Sequence, residues 1–229
     1  MHFVLLCDLH LSERTEESVF SILSYVSYQV KHSPDTALAV LGDMYDTVYK
    51  DSQIDARLQQ RLYDFFKNNF TKNTLFLLPG NHDLYGSRAQ DNALNVFQHV
   101  ATVYNEPVVA HNVLWLPYKD GGYTREFIAS MKCKVCFTHN DFKYLLMRKG
   151  LMSPQGMDPA IFKNIKWVFN GHYHFANEQD NVICIGSQYA VHKTEICDQK
   201  YLYNVCVSED ETSCSRTKIR FGRRTFTFT

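Results

Sequence analysis

Five short polar groups carry the chemistry of this chain: Asp8-Leu9-His10, Gly42-Asp43-Met44-Tyr45-Asp46, Gly80-Asn81-His82-Asp83, Phe137-Thr138-His139-Asn140-Asp141 and Asn170-Gly171-His172-Tyr173-His174. Carboxylates, carboxamides and imidazoles suit divalent first-row metals, and the lack of cysteine among them argues against a thiolate zinc site. Seven side chains, Asp8, His10, Asp43, Asn81, His139, His172 and His174, are more ligands than one ion takes. They suffice for two ions if one carboxylate bridges, with about four protein ligands for each ion and room for water. Two divalent ions offset by two carboxylates and a bridging hydroxide leave a net charge of about plus one, which attracts a phosphate ester.

Each of these residues has an ordinary reading when taken alone. His172 and His174, two apart, would share a face at any strand end, as packing or surface groups. His10, His82 and His139 could be hydrogen-bonded histidines, and Asn81 and Asp83 turn residues after Gly80. The metal reading rests on their joint occurrence behind five apolar segments, where unrelated turns would not supply the same ligand types. His2, His32, His99, His111 and His192 lack that context. Gly42, Gly80 and Gly171 allow sharp turns where a β-carbon would crowd the ligands.

The elements that must position these groups are legible in the hydrophobic pattern. HFVLLC (2–7), TALAVLG (36–42) and TLFLLPG (74–80) are short apolar runs of buried-strand type. Between them, ESVFSILSYVSYQVKH and IDARLQQRLYDFFKNNF (54–70) repeat their apolar residues at helical spacing, and Pro34 closes the first. The order β, α, β, α, β predicts a sheet covered by helices, with ligands at the carboxyl ends of its strands. Further strands are predicted at VVAHN, VLWLPY, KVCFTH, KWVFNGH and NVICIGS, with helical segments near 124–131 and 158–164. This second, more β-rich half suggests two packed sheets. The terminal TKIRFGRRTFTFT alternates as edge strands do, with one face wet.

Composition sets the limits. The chain has 229 residues, 45% of them hydrophobic, enough for one α/β core, so a single domain is expected over 1–229, with a core at 1–207 and C-terminal strands and a basic tail at 208–229. Lys plus Arg equals Asp plus Glu at 24 each, so binding to a polyanion would need local patches. The N-terminal apolar run is short and lacks a basic leader, which predicts neither signal peptide nor membrane span and hence a cytoplasmic location, in a bacterium or a virus-infected cell. Seven unclustered cysteines suit free thiols in a reducing compartment. Cys133 and Cys136 form a CxxC within a predicted strand, where residues three apart face opposite ways, so a shared metal or redox role is not expected.

In order and register, DLH, GDMYD, GNHD, TH and GHYH resemble the signature of the calcineurin-like metallophosphoesterases, from Asp8 to about Ser187. The resemblance implies a four-layer α/β sandwich, two mixed sheets flanked by helices, with a two-metal site usually holding manganese, iron or zinc; manganese is the first expectation, with magnesium a further candidate. It also implies that Asp8, His10 and His174 hold one ion, Asn81, His139 and His172 the other, and that Asp43 bridges. His82 is then the catalytic histidine beside the leaving oxygen, Asp83 orients it, and Asp46 supports the shell without binding metal. One departure is Thr138, where many relatives have glycine before the histidine, which makes His139 the least typical ligand.

Within the family, GDMYD and GNHD depart from the protein serine/threonine phosphatase forms. PGNHDLYG, WLPY and ICIGSQYA resemble the SbcD-like DNA repair nucleases, including phage-encoded relatives. That branch implies hydrolysis of a DNA phosphodiester by a hydroxide held between the ions, with His82 assisting the leaving group. It also implies an SbcC-like coiled-coil ATPase or a second copy of the chain as partner. Candidate DNA contacts are Lys143, Arg148 and Lys149, and Arg216, Lys218, Arg220, Arg223 and Arg224; the ordinary alternative for both groups is a solvated face. The alternatives are a stand-alone phosphodiesterase or phosphatase on nucleotides or small esters, and a non-catalytic scaffold, against which retention of His82 and of every ligand position argues.

Overall fold

The computed structural model describes residues 1–46, 54–86, 90–208, 212–221 and 226–228, with side chains up to Ile219. Strands β1 (His2–Leu6), β2 (Thr36–Leu41), β3 (Leu75–Leu78) and β4 (Thr102–Val103) are parallel neighbours. Helix α1 (Glu16–His32) joins β1 to β2, and α2 (Ala56–Asn69) joins β2 to β3. Glu16 and Glu17 open α1 while Lys31 and His32 close it, charges that complement the helix dipole at both ends. Asp55 caps α2, its carboxylate accepting from the backbone N–H of Arg57 at 2.8 Å and of Leu58 at 3.4 Å.

The second half builds another sheet. Strands β5 (Val108–Ala110), β6 (Val113–Leu116) and β7 (Val135–Thr138) are followed by a small hairpin, β8 (Leu146–Arg148) and β9 (Leu151–Met152), then by β10 (Trp167–Asn170), β11 (Asn177–Gln179) and β12 (Val182–Cys184). Their order is β11-β12-β10-β7-β6-β5, the inner four parallel and the outer two antiparallel. Helix α3 (Arg125–Ser130) fills the segment expected near 124–131. The helix expected near 158–164 is a single 3-10 turn at Pro159–Phe162, capped by Asp158, with Pro159 in its first turn and too few residues for an α-helix.

The C-terminal segment returns to the first sheet. Strand β13 (Lys200–Val207) pairs antiparallel with β1, β14 (Thr212–Phe221) with β13, and β15 (Phe226–Phe228) with β14. Strand β14 therefore has a neighbour on each side, and β15 takes the outer position that the alternating terminus was expected to give to both.

Three apolar layers separate four structural ones, and strand periodicity assigns the side chains. Val4, Leu6, Leu38, Val40, Leu75 and Leu77 face α1 and α2, with Val19, Leu23, Leu62 and Phe66 opposite. Their alternates Phe3, Leu5, Ala37, Ala39, Leu41 and Phe76 pack between the sheets against Val113, Trp115, Val135 and Phe137. Leu114, Leu116, Cys136 and Val168 point outward to Ile128 and Phe162. The result is the expected α/β arrangement of two large mixed sheets. No helix among the described residues is long and apolar enough to cross a membrane.

Candidate metal centre

The carboxyl ends of β1, β2, β3, β7 and β10 meet along one edge, and backbone bonds tie their loops together. Asp8 N–H donates to Gly42 O and His10 N–H to Asp43 O, both at 3.0 Å, while Gly171 N–H donates to Thr138 O at 3.0 Å. Asp8, His10, Asp43 and His172 all have positive φ, at 50°, 42°, 53° and 74°. Four non-glycine residues in the left-handed region store local strain that the surrounding packing must hold, a pattern typical of functional sites. Gly42 shares that conformation at φ 83°, and a β-carbon there would collide with the His139 ring; one on Gly80 would collide with Asp43.

All seven expected ligands come together. Asp8, His10 and His174 form one group, and Asp43, His139 and His172 another, each with its ligand atoms within 4.8 Å of one another. In the first, His174 Nε2 lies 3.0 Å from His10 Nε2 and 3.9 Å from Asp8 Oδ1. In the second, Asn81 Oδ1 lies 2.9 Å from His172 Nδ1 and 3.2 Å from His139 Nε2. Asp43 stands between the groups: its Oδ2 is 3.2 Å from His139 Nε2, 3.9 Å from His10 Nε2 and 4.0 Å from His82 Nε2. Its Oδ1 accepts from the His82 backbone N–H at 2.8 Å.

The donor set fits divalent cations. Asp8 Oδ2 is buried and has no hydrogen-bond partner, an expensive state for a carboxylate oxygen unless a cation faces it. His139 is fully buried; its Nδ1 is 2.7 Å from Leu41 O, which directs Nε2 at Asp43 and Asn81. Thr138 ends β7 in extended backbone and accepts from Asn140 Nδ2 at 2.8 Å, so this departure from glycine leaves His139 in place.

Electrostatics follow from burial and crowding. Burial lowers the His10 pKa to about 4, although Asp43 and Asp8 oppose it. Burial also penalises His139⁺, but the charge and hydrogen bond of Asp43 outweigh it and hold that ring at about 9. Asp43 itself, though buried, is kept well below the usual carboxylate range by His139, His10 and His82. The two rings thus respond oppositely: beside Asp43, His139 favours its charged form, while burial keeps His10 neutral.

His82 lies at the rim, its ring edge-on to His10 with centroids 4.8 Å apart. Asp83, expected to orient that ring, also binds the backbone of two loops. Its Oδ1 accepts from the N–H of Met44 at 3.0 Å and of Tyr45 at 3.3 Å, and its Oδ2 from that of Gly80 at 2.9 Å. It is a loop clamp, fully buried because amides rather than water satisfy it, and burial, then the charge of Asp43, push its pKa up to about 7. Asp46 flanks the shell, Oδ1 3.7 Å from His10 Nδ1 and Oδ2 3.6 Å from Arg14.

Two carboxylates were not assigned a role from sequence. Asp141 Oδ1 is 2.9 Å from His172 Nε2, and Glu195 Oε1 is 2.8 Å from His174 Nδ1. Asp141 stands next but one to His139, a proximity that could have marked it; Glu195 lies outside every motif. Of the basic candidates, Arg148 and Lys149 are exposed on the β8–β9 hairpin and Lys143 is half-buried just before it. Arg216 packs its guanidinium over Tyr201, 4.8 Å from the ring centroid. Lys218 and Arg220 are on β14; the Arg220 side chain, Arg223 and Arg224 lie outside the described residues.

Comparison with known proteins agrees with this geometry. The chain is 24% identical over 212 residues to exonuclease subunit 1 of Enterobacteria phage T4, an alignment covering 83% of this chain and 60% of that protein. The chain therefore spans about 60% of the length of that relative. The family model for calcineurin-like phosphoesterases matches residues 1–176, which contain every expected ligand. The chain belongs to the calcineurin-like phosphoesterase family.

Proposed function

We propose that this protein is a two-metal phosphodiester hydrolase acting on DNA. The observation that carries the two-metal reading is Asp43 Oδ2, within 4 Å of ring nitrogens from both ligand groups. Asp8, His10 and His174 would hold one ion, Asn81, His139 and His172 the other, and Asp43 would bridge. When bound, divalent ions here supply Lewis-acid polarisation of a phosphoryl oxygen and activation of water. Manganese is the first candidate, since the oxygen and imidazole donors suit it.

The chain's own residues supply the rest. His82, at the rim rather than buried with the ligands, donates a proton to the departing sugar oxygen from Nε2 or Nδ1. Its backbone N–H on Asp43 fixes where the ring begins, and Asp83 holds the two loops that carry both residues. Similarity to a protein named as an exonuclease subunit supports DNA as substrate and a partner chain in a complex. Arg148 and Lys149 on the exposed hairpin, with Lys143, are the phosphate contacts we assign.

The test compares the purified protein with manganese on linear duplex DNA and on a chromogenic aryl phosphodiester, at several salt concentrations. DNA cleavage that falls steeply with salt is expected, because phosphate contacts release counterions. Brisk, salt-insensitive turnover of the small ester without DNA cleavage would instead identify a small-phosphoester enzyme. Turnover of neither substrate by metal-loaded protein would leave a binding scaffold.

A further inference from the structure

We infer that Glu195 is a positioning residue for the Asp8-His10-His174 ion site, acting through His174. The inference rests on the reading of His174 as a metal ligand. His174 presents Nε2 toward Asp8 and His10, while its Nδ1 is 2.8 Å from Glu195 Oε1. A carboxylate on one ring nitrogen takes the N–H there, which fixes the tautomer and leaves the other nitrogen with its lone pair toward a cation.

Glu195 is itself held rigidly. Its Oε2 accepts from Lys200 Nζ at 2.9 Å, from Val191 N–H at 3.2 Å and from Ser187 Oγ at 3.3 Å. Lys200 Nζ also donates to His174 O at 3.0 Å and to Ser187 Oγ at 2.9 Å, so one ammonium grips both the carboxylate and the backbone of the ligand. Glu195 is only 8% exposed and Lys200 6%. Burying two opposite charges is costly, and an apolar pair of the same shape would serve packing at least as well. Three polar groups aimed at one carboxylate, itself aimed at one ring nitrogen, point to control of that ring. His192 adds to it, its ring stacked on His174 at 13° with centroids 5.5 Å apart.

The other ion site is backed differently. Asp141, on His172 Nε2, has a side chain 43% exposed and so stands in a much more polar medium than Glu195. The two sites therefore differ in how firmly their outer carboxylates are fixed, and loss of Glu195 should affect one ion and spare the other.

Manganese titration by calorimetry, with electron paramagnetic resonance to count isolated and coupled ions, tests this on the full chain. The wild type is expected to bind two ions. Glu195→Gln keeps an acceptor near Nδ1 but loses the charge, and should weaken one of them about 10- to 100-fold. Lys200→Met retains the carboxylate and should weaken manganese binding much less than Glu195→Gln. If Glu195→Gln misfolds because Lys200 is left buried without its partner, Glu195→Gln/Lys200→Gln removes both charges and should still weaken one ion. Wild-type affinity for both ions in a folded Glu195→Gln or double variant would overturn the inference and leave the two-metal reading standing. Equal weakening in Lys200→Met, or of both ions together, would reduce Glu195 to a structural role. A wild type that binds no manganese would overturn both readings.

Discussion

His82 Nε2 lies 4.0 Å from Asp43 Oδ2, yet the expected failures of the two residues differ in kind. Replacing Asp43 by Ala removes an oxygen within reach of ring nitrogens from both ligand groups, so bound manganese and turnover should fall together. His82→Ala should keep both ions, because the ring is not needed to complete either ligand group, while kcat drops about 10²- to 10⁴-fold, the range of a lost general acid. Metal stoichiometry beside single-turnover rates separates the two, and a His82 variant that sheds an ion would sink the assignment. Asp83→Ala should act through stability, since it strands buried amides of Met44 and Gly80 at a cost of about 1–3 kcal/mol. In a chain of this size that lowers the melting temperature by roughly 2–12 °C. The ligands were legible in the sequence because Asp, Asn and His recur in fixed types behind apolar runs. The partners of Asp83 were not, because an acceptor facing three backbone amides leaves no trace in residue type.

At the scale of elements, strands and helices were read where one periodicity ruled. The run from Phe3 to Cys7 alternates between two apolar layers, so every residue is hydrophobic; α2 needs only one apolar stripe and shows it as Leu58, Leu62 and Phe66. Strand β13 escaped notice because KYLYNVCV mixes tyrosines and a buried lysine with aliphatics, and its partner β1 lies at the other end of the chain. Glu195, on the turn before β13, escaped for the same reason: its neighbours are set by tertiary pairing. A local signal, by contrast, gives a local test. Asp55 satisfies two first-turn amides of α2, and Asp55→Ala should cost about 1 kcal/mol. Denaturant unfolding should show a lower midpoint with an unchanged slope. No change in midpoint would mean that packing of Leu58, Leu62 and Phe66 alone fixes the start of the helix.

For the molecule as a whole, the ligand cluster and the core are mechanically one object. Asp8, His10, Asp43 and Asn81 follow strands of the first sheet, whereas His139, His172 and His174 follow strands of the second. Between the sheets Phe3 meets Phe76, Trp115 and Phe137 edge-on at 5.8, 5.8 and 5.3 Å. Ions held at the upper edge of this layer join the two sheets a second time, and any unfolding that parts the sheets must release them. Ligand linkage then predicts, for each ion, a gain of RT ln(1 + [L]/Kd), about 2.7 kcal/mol with manganese at a hundredfold excess over Kd. For a chain of this length that is roughly 5–11 °C in melting temperature, reversed by a chelator. His82→Ala should keep the whole shift and Asp43→Ala should lose most of it, which separates binding at this cluster from binding to surface carboxylates. Calorimetric scans of the three proteins with and without manganese make the comparison; an equal shift in Asp43→Ala would show that the stabilising ions sit elsewhere.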